Sequence, residues 1–475
     1  MLKTKKLLCS VISAIFFVTV CTATTTSNGQ TELNNDQASK DNSVTETEIP
    51  EEPANIVFVK GLQTYLESGD IDGAIDFFKE LPEELENDTD LKSLLAALYY
   101  SNMDFKNAIS VANDILKVIP NDMETLELLA MCYKAQGAYT LYNNTANKIL
   151  KIDPNNPSVN IQKANDYVLS KRWKLARNYY GNALKGDSEN LEAMFGYAKM
   201  SYYMGDLNTA ERYLEKILEK DPENAEALAY MGTISFDKED YISASEYIQF
   251  AIKLDPSNYN YWIDYGTYLR YQGKFDEAEQ AWKKAVEIDP TYFLAYEYLA
   301  GNYDDQGKYD EALANYHKVI ETNPNYFYAY ETIAILEYHA KNYKEAIKYF
   351  QKAYECNDSY SYTLMTAACY FKLKDQFNAK KVLAAEMKKH DRSTTEYDLL
   401  RFFHDSYSRN AESSLLRKIN AETNSNTRGK MLFYMGLYNE INGSDVLANE
   451  FYSQVTSLQA PMFFEYRIAE WGLLE

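Results

Sequence analysis

The chain of 475 residues is predicted to be an all-α array of tandem helix–turn–helix repeats, and two observations carry this prediction. The first is a period of 34 residues, in which small residues, alanines and prolines recur in a fixed order. The second is the composition, because only 18 glycines and 11 prolines occur and no long stretch alternates with the period of two expected of strands. Each repeat of such an array packs only on its neighbours, so the array extends as one body instead of dividing into globular domains.

Three series of residues show the period. A small residue recurs every 34 positions at Ala96, Ala130, Ala164, Ala198, Gly232, Gly266, Ala300 and Ala334. An alanine series, interrupted only at Tyr142, runs through Ala74, Ala108, Ala176, Ala210, Ala244, Ala278, Ala312 and Ala346. A proline series, with Ser188 in its one gap, runs through Pro120, Pro154, Pro222, Pro256, Pro290 and Pro324.

The repeat at 259–292 shows what these positions do in a helix pair. With the small residue numbered as position 8, helix A covers about positions 1–14 and helix B about positions 17–30. Positions 4, 7, 8 and 11 fall on one side of helix A at about 100° per residue. In this repeat they are Trp262, Tyr265, Gly266 and Leu269, which we expect to form core, with the small residue allowing close approach of helix B. A proline just past helix B ends that helix without removing an interior hydrogen bond.

This order of Trp or Tyr, small residue, alanine, aromatic, alanine and proline resembles the tetratricopeptide repeat (TPR) family. The resemblance implies a right-handed superhelical solenoid in which the A helices line an inner groove. We count about 11 to 12 repeats, of which those between 89 and 358 carry the full signature and 55–88 is a weaker first copy.

The N-terminal region is predicted to export the chain. Lysines precede an apolar run at 7–20, which is long enough for a signal peptide and shorter than the roughly 20 residues of a membrane-spanning helix. Two processing routes are open within the signal peptide at 1–23: a lipobox would end at Cys21 and make it the lipidated residue, or ordinary cleavage would follow Ala23. Residues 24–54 are polar and are predicted to be a disordered tether.

The TPR array is predicted to cover 55–394, followed by a degenerate repeat and a loop at 395–429. A last repeat and a capping helix, expected to cover the exposed end of the array, fill 430–475. The ending at 463–470 is also similar to that of envelope TPR lipoproteins that scaffold proteases and murein enzymes, which favours an envelope adaptor.

A second stripe of helix A, at positions 2, 5, 9, 12 and 13, faces the ligand in TPR proteins. We call it the groove stripe. The candidate partner-binding residues on it are Tyr202, Tyr203, Phe236, Asp237, Arg270, Tyr271, Glu297, Asp304, Asp305, Glu331 and Tyr338. Aromatic faces beside carboxylates suit a peptide or protein with basic or aromatic side chains, through cation–π contacts and ion pairs. The alternative is that the stripe is ordinary surface in a tyrosine-rich chain.

Charge and residue content exclude several other functions. A net charge of −22 would repel nucleic acid and an anionic membrane surface, so we expect membrane contact only through an N-terminal lipid anchor. The four histidines have no zinc-ligand spacing, and no nucleophile, phosphate-loop or nucleotide motif occurs, so we expect no catalytic residues, no metal and no cofactor. The sequence favours a non-enzymatic scaffold of the bacterial envelope, in the periplasm or anchored to a membrane. The alternatives are a self-assembling structural envelope protein and, as a distant third, an envelope hydrolase.

Overall fold

The computed structural model describes residues 53–405, 409–458 and 462–474. The predicted signal peptide, the lipidation site at Cys21 and all but the last two residues of the tether lie outside these ranges. Within them, the regular structure consists of 25 α-helices and two 3₁₀ turns, with no strand. The all-α prediction is therefore confirmed. The described residues divide into two compact units, with the boundary between Pro222 and Glu223.

The first unit contains five helix pairs, with the two 3₁₀ turns, Phe78–Glu80 and Glu83–Leu85, following the second helix. Its helices are α1 (Ala54–Ser68), α2 (Ile71–Phe77), α3 (Thr89–Ser101), α4 (Phe105–Val118), α5 (Met123–Ala135), α6 (Tyr139–Ile152), α7 (Pro157–Leu169), α8 (Trp173–Gly186), α9 (Leu191–Tyr203) and α10 (Leu207–Lys220).

The second unit contains seven helix pairs and a final single helix in its described residues. They are α11 (Ala225–Asp237), α12 (Tyr241–Leu254), α13 (Tyr259–Tyr271), α14 (Phe275–Ile288), α15 (Phe293–Asp305), α16 (Tyr309–Thr322), α17 (Phe327–His339), α18 (Tyr343–Cys356), α19 (Tyr360–Lys372), α20 (Gln376–Met387), α21 (Thr395–His404), α22 (Arg409–Ala421), α23 (Ser425–Ile441), α24 (Asp445–Thr456) and α25 (Glu465–Leu474). Odd-numbered helices up to α23 are the A helices and even-numbered ones the B helices. The twelve pairs match the predicted 11 to 12 repeats.

Local capping explains where many of these helices begin. Asn258 precedes α13 and accepts a hydrogen bond from the backbone N–H of Asn260 at 3.1 Å. Asp240 precedes α12 and accepts one from Ser243 at 3.1 Å. Asn and Asp side chains in this place satisfy backbone donors that have no partner inside the helix, so the short connections between helices carry their own start signals.

The C-terminal part of the second unit differs from the predicted arrangement. Helix α23 begins at Ser425, inside the segment predicted as a loop, because Asn424 caps it through the backbone N–H of Thr427 at 2.9 Å. Helix α23 packs on α19, and α25 packs on α17, α23 and α24. The chain's last helices therefore return onto earlier A helices. The final helix packs on α24 of the last repeat, as expected of a capping helix, and it also contacts α17 of an earlier repeat.

Candidate partner-binding surface

The structure places the eleven candidate residues in different environments. Tyr202 and Tyr203 belong to the first unit, and the other nine belong to the second. Four are exposed: Tyr203, Asp237, Tyr271 and Asp305. Tyr202, Phe236, Arg270, Glu297, Asp304 and Glu331 are half-buried by whole-residue accessibility, and Tyr338 is buried.

In the first unit, an aromatic contact lies at the end of α9. Tyr203 is 46% exposed, and its ring stacks on that of Trp173 with 5.0 Å between centroids. Its neighbour Tyr202 meets it at 5.6 Å, edge to face. Offset and edge-on ring pairs of this kind are mutually stabilising, and they leave one face of Tyr203 open to solvent.

In the second unit, α11, α12 and α13 together form an aromatic cluster. The Phe236 ring stacks on that of Tyr268 at 5.0 Å and meets Tyr271 edge-on at 4.9 Å. Tyr241 lies 5.1 Å from Tyr271 and 5.5 Å from Phe236. Tyr268 is buried and holds the cluster in place, whereas Tyr271 is 57% exposed. The sequence prediction identified Phe236 and Tyr271 but not Tyr241, which starts a B helix.

Two of the charged candidates neutralise each other. Arg270 donates a hydrogen bond from its guanidinium to the carboxylate of Asp305. Both side chains keep substantial solvent contact, so the pair adds little to stability. Asp237, which follows Phe236 directly at the end of α11, adds an exposed carboxylate that has no such partner among the candidates.

The other acidic candidates contact the chain itself. Asp304 accepts two hydrogen bonds from Arg467 of α25, at 2.6 and 2.5 Å, and its side chain is only 9% exposed. Glu331 accepts a hydrogen bond from the Tyr362 hydroxyl at 2.5 Å. Burial raises the pKa of Glu331. The interpretation of Asp304 as a partner contact is corrected, because its carboxylate is already fully engaged.

Burial also removes Tyr338 from the candidate surface. This side chain is 8% exposed and meets Tyr343 edge-on at 5.6 Å. Burial raises the pKa of Tyr338, and the charge of Glu440 on α23 raises it further. Within its own repeat Tyr338 lies on the predicted groove stripe, but Glu440 of α23 and Tyr452 of α24 lie near its buried side chain.

Sequence reasoning missed the most elaborate contact on the stripe. Trp471 of α25 stacks on His339 at 4.0 Å and meets Tyr309 edge-on at 6.0 Å. The Arg467 guanidinium lies 4.4 Å from the Trp471 ring centroid while it binds Asp304. The spacing of Arg467 and Trp471, one turn apart on one side of a helix, is visible in the sequence, but their targets are not.

Sequence comparison decides the family. Three profiles described as "Tetratricopeptide repeat" match the chain, at residues 167–234, 259–292 and 299–361. This chain is a TPR protein. The family supports a protein-interaction scaffold, and no enzyme family is indicated. A search of curated proteins finds no match.

Solved structures that resemble the chain include several TPR proteins. MamA shares 28% identity and covers 34% of this chain and 94% of its own, with a TM-score of 0.33. YrrB, described as a TPR protein with an unusual peptide-binding site, shares 23% identity over 39% of this chain and 96% of its own, with a TM-score of 0.33. The C-terminal part of a TPR protein from Cytophaga hutchinsonii shares 18% identity over 49% of this chain and 95% of its own, with a TM-score of 0.40.

Neither a metal site nor a membrane-spanning helix is present in residues 53–405, 409–458 and 462–474. No group of three or more His, Cys, Asp or Glu side chains in these ranges is placed to hold a metal ion. Of the helices in the same ranges, none combines the length and the apolar character needed to cross a bilayer.

Proposed function

We propose that this TPR protein is an exported adaptor of the bacterial envelope that binds peptide or protein partners on its groove stripe. The basic and apolar residues of the predicted signal peptide at 1–23 support export. Lipidation at Cys21 or cleavage after Ala23 would leave the array on a membrane or free in the periplasm.

One observation carries the binding proposal: the stripe already holds a helix. Helix α25 lies on it through Arg467 at Asp304 and Trp471 at His339. Both contacts are of the predicted chemistry, since a cation meets a carboxylate and an aromatic ring meets a ring. The stripe residues that α25 leaves exposed, Tyr271 and Asp237 among them, present the same groups to a partner.

The experiment is a crosslinked pull-down of the mature protein from its native cell envelope, with partners named by mass spectrometry. The test bait carries Tyr203→Ala, Asp237→Ala and Tyr271→Ala, which change exposed stripe residues. The control bait carries Tyr139→Ala and Phe377→Ala, which remove aromatics that are 64% and 78% exposed and lie outside the stripe.

If the protein is an adaptor, we expect the wild-type and control baits to capture a discrete partner that the stripe variant does not capture. Recovery of the protein alone would replace this proposal with the self-assembling alternative. Asp304 and Tyr338 are left unchanged, because substituting them would disturb the packing of α23 to α25.

A further inference from the structure

Aromatic pairs recur in every second repeat at one edge of the A helices. Each pair joins the first residue of a B helix to the last residue of the next A helix. We call these the terminal pairs, and successive pairs are 68 residues apart. Their ring centroids are similarly spaced: Trp173–Tyr203 at 5.0 Å, Tyr241–Tyr271 at 5.1 Å and Tyr309–His339 at 5.3 Å.

The third terminal pair has a visible occupant. Trp471 stacks on His339 and meets Tyr309 edge-on, while Arg467, one turn earlier on α25, binds Asp304. His339 as a whole is half-buried, and Trp471 covers one face of its ring. This pair therefore holds a tryptophan on a helix, with a cation one turn before it.

The second terminal pair has a similar centroid distance, with its rings inclined at 40° where those of the third pair are at 87°, and it has an exposed face. Tyr271 is 57% exposed, and the Phe236 ring backs it at 4.9 Å. Phe236 and Asp237 occupy the positions that Asp304 and Asp305 hold in the third pair, 68 residues on. A cation there would meet an aromatic face and an exposed carboxylate, which is a favourable combination.

The first terminal pair lacks this support. The residues at the positions of Asp304 and Asp305 are Val168 and Leu169, which offer a cation neither a charge nor a ring. A tryptophan could still stack on Trp173 and Tyr203, but a cation one turn before it would have no favourable contact. Of the two exposed pairs, the second alone therefore offers a cation both an additional ring and a carboxylate.

We propose that the Tyr241–Tyr271 pair, with Phe236 and Asp237, binds a helix of a partner protein that presents a tryptophan with an arginine or lysine one turn before it. This inference rests on the scaffold function proposed above and names the partner's chemistry. The site is separate from the one that α25 fills, so the full-length protein binds the partner helix with α25 in place.

The test uses a purified full chain and a fluorescein-labelled synthetic peptide of residues 462–474, which carries Arg467 and Trp471. Anisotropy titration should show binding that Tyr271→Ala weakens about tenfold or more, the usual cost of losing an aromatic anchor. Replacing Trp471 by alanine in the peptide should weaken binding equally. Tyr271→Phe, which keeps the ring, and Tyr139→Ala, which removes a tyrosine that is 64% exposed and lies outside the stripe, should each change affinity less than about twofold.

Three results would overturn the proposal. The first is binding lost in His339→Ala but kept in Tyr271→Ala, since the peptide would then be exchanging with α25. The second is equal loss in Tyr139→Ala and Tyr271→Ala. The third is a dimer, detected by light scattering without peptide, that Tyr271→Ala converts to monomer, since the occupant would then be a second copy.

Melting curves that agree within about 2 °C verify that the variants fold. The assay uses no envelope extract, so it fails or succeeds independently of the pull-down.

Discussion

The small residue at position 8 of a repeat shows how one side chain determines the packing of a helix pair. Trp282 of α14 is fully buried and donates its indole N–H to the carbonyl of Ile263 at 3.1 Å. A Cβ added to Gly266 would lie only 2.5 Å from the Trp282 Nε1 atom. The absent side chain of Gly266 is therefore the space that the indole fills, as the sequence interpretation of this position anticipated.

We expect Gly266→Ala to destabilise the protein by about 1–3 kcal/mol, because overpacking against Trp282 exceeds the gain in helix propensity of about 1 kcal/mol. Gly301→Ala is the matched control: it is also inside an A helix, and its added Cβ would meet nothing within 4 Å. Gly301→Ala should raise the melting temperature measured by circular dichroism, and Gly266→Ala should lower it. A shift of the same sign in both variants would contradict the steric argument.

At the scale of elements, α25 is held to the array by a few side chains. The guanidinium of Arg467 donates hydrogen bonds to both carboxylate oxygens of Asp304. This bidentate ion pair is strong and also fixes the orientation of the two side chains. Burial by itself lowers the pKa of Arg467, but its hydrogen bonds to Asp304 and the charge of Asp304 raise it overall. At the start of the helix, Glu465 is fully buried and accepts a hydrogen bond from the Tyr434 hydroxyl at 2.9 Å.

We expect Arg467→Ala to lower the free energy of local unfolding of α25 by about 2–4 kcal/mol, because it leaves the nearly buried Asp304 carboxylate without its partner. Hydrogen exchange at 465–474 should accelerate accordingly, while exchange in α13 stays unchanged. Arg401→Ala is the control: it breaks a pair with Asp405 in which both side chains are well exposed, and it should change stability by at most about 1 kcal/mol. Unchanged exchange in α25 of Arg467→Ala would refute the view that this pair holds the helix.

At the scale of the whole molecule, the acidic composition and the buried carboxyls both make the folded state less stable as the pH rises toward neutrality. Burial raises the pKa of Asp264 on α13 to about 7. Burial also raises the pKa values of Glu297, Glu331 and Glu465. A raised carboxyl pKa means that the folded chain holds a proton that the unfolded chain releases near pH 4, so this contribution to stability falls as the pH rises toward 7.

We therefore expect the melting temperature to rise when the pH is lowered from 8 to 5.5 at constant ionic strength. Asp264 alone should contribute about 2 kcal/mol over this range, at about 1.4 kcal/mol per pH unit below its folded pKa. Asp264→Asn cannot ionise, so its melting temperature should depend less steeply on pH. A wild-type melting temperature that is flat or rises with pH would contradict the prediction, as would an equal slope in Asp264→Asn.

The sequence alone determined the repeats, because their signals are local. Ala278, Gly266 and positions like them recur every 34 residues, since each helix pair packs on its neighbours through the same few contacts. The fold class, the repeat number and the buried alanine series follow from that period. The exposed candidates Tyr203, Asp237 and Tyr271 were likewise visible from helix geometry within one repeat.

Only the tertiary structure decided where the last helices lie. Arg467 meets Asp304 across 163 positions of sequence, and no period connects them. The return of α23 to α25 covers Tyr338 and engages Asp304, so two residues on the same predicted stripe as Tyr271 have different roles. The reason is physical: a repeat pattern records contacts between neighbours, whereas contacts between distant helices depend on the path of the whole second unit.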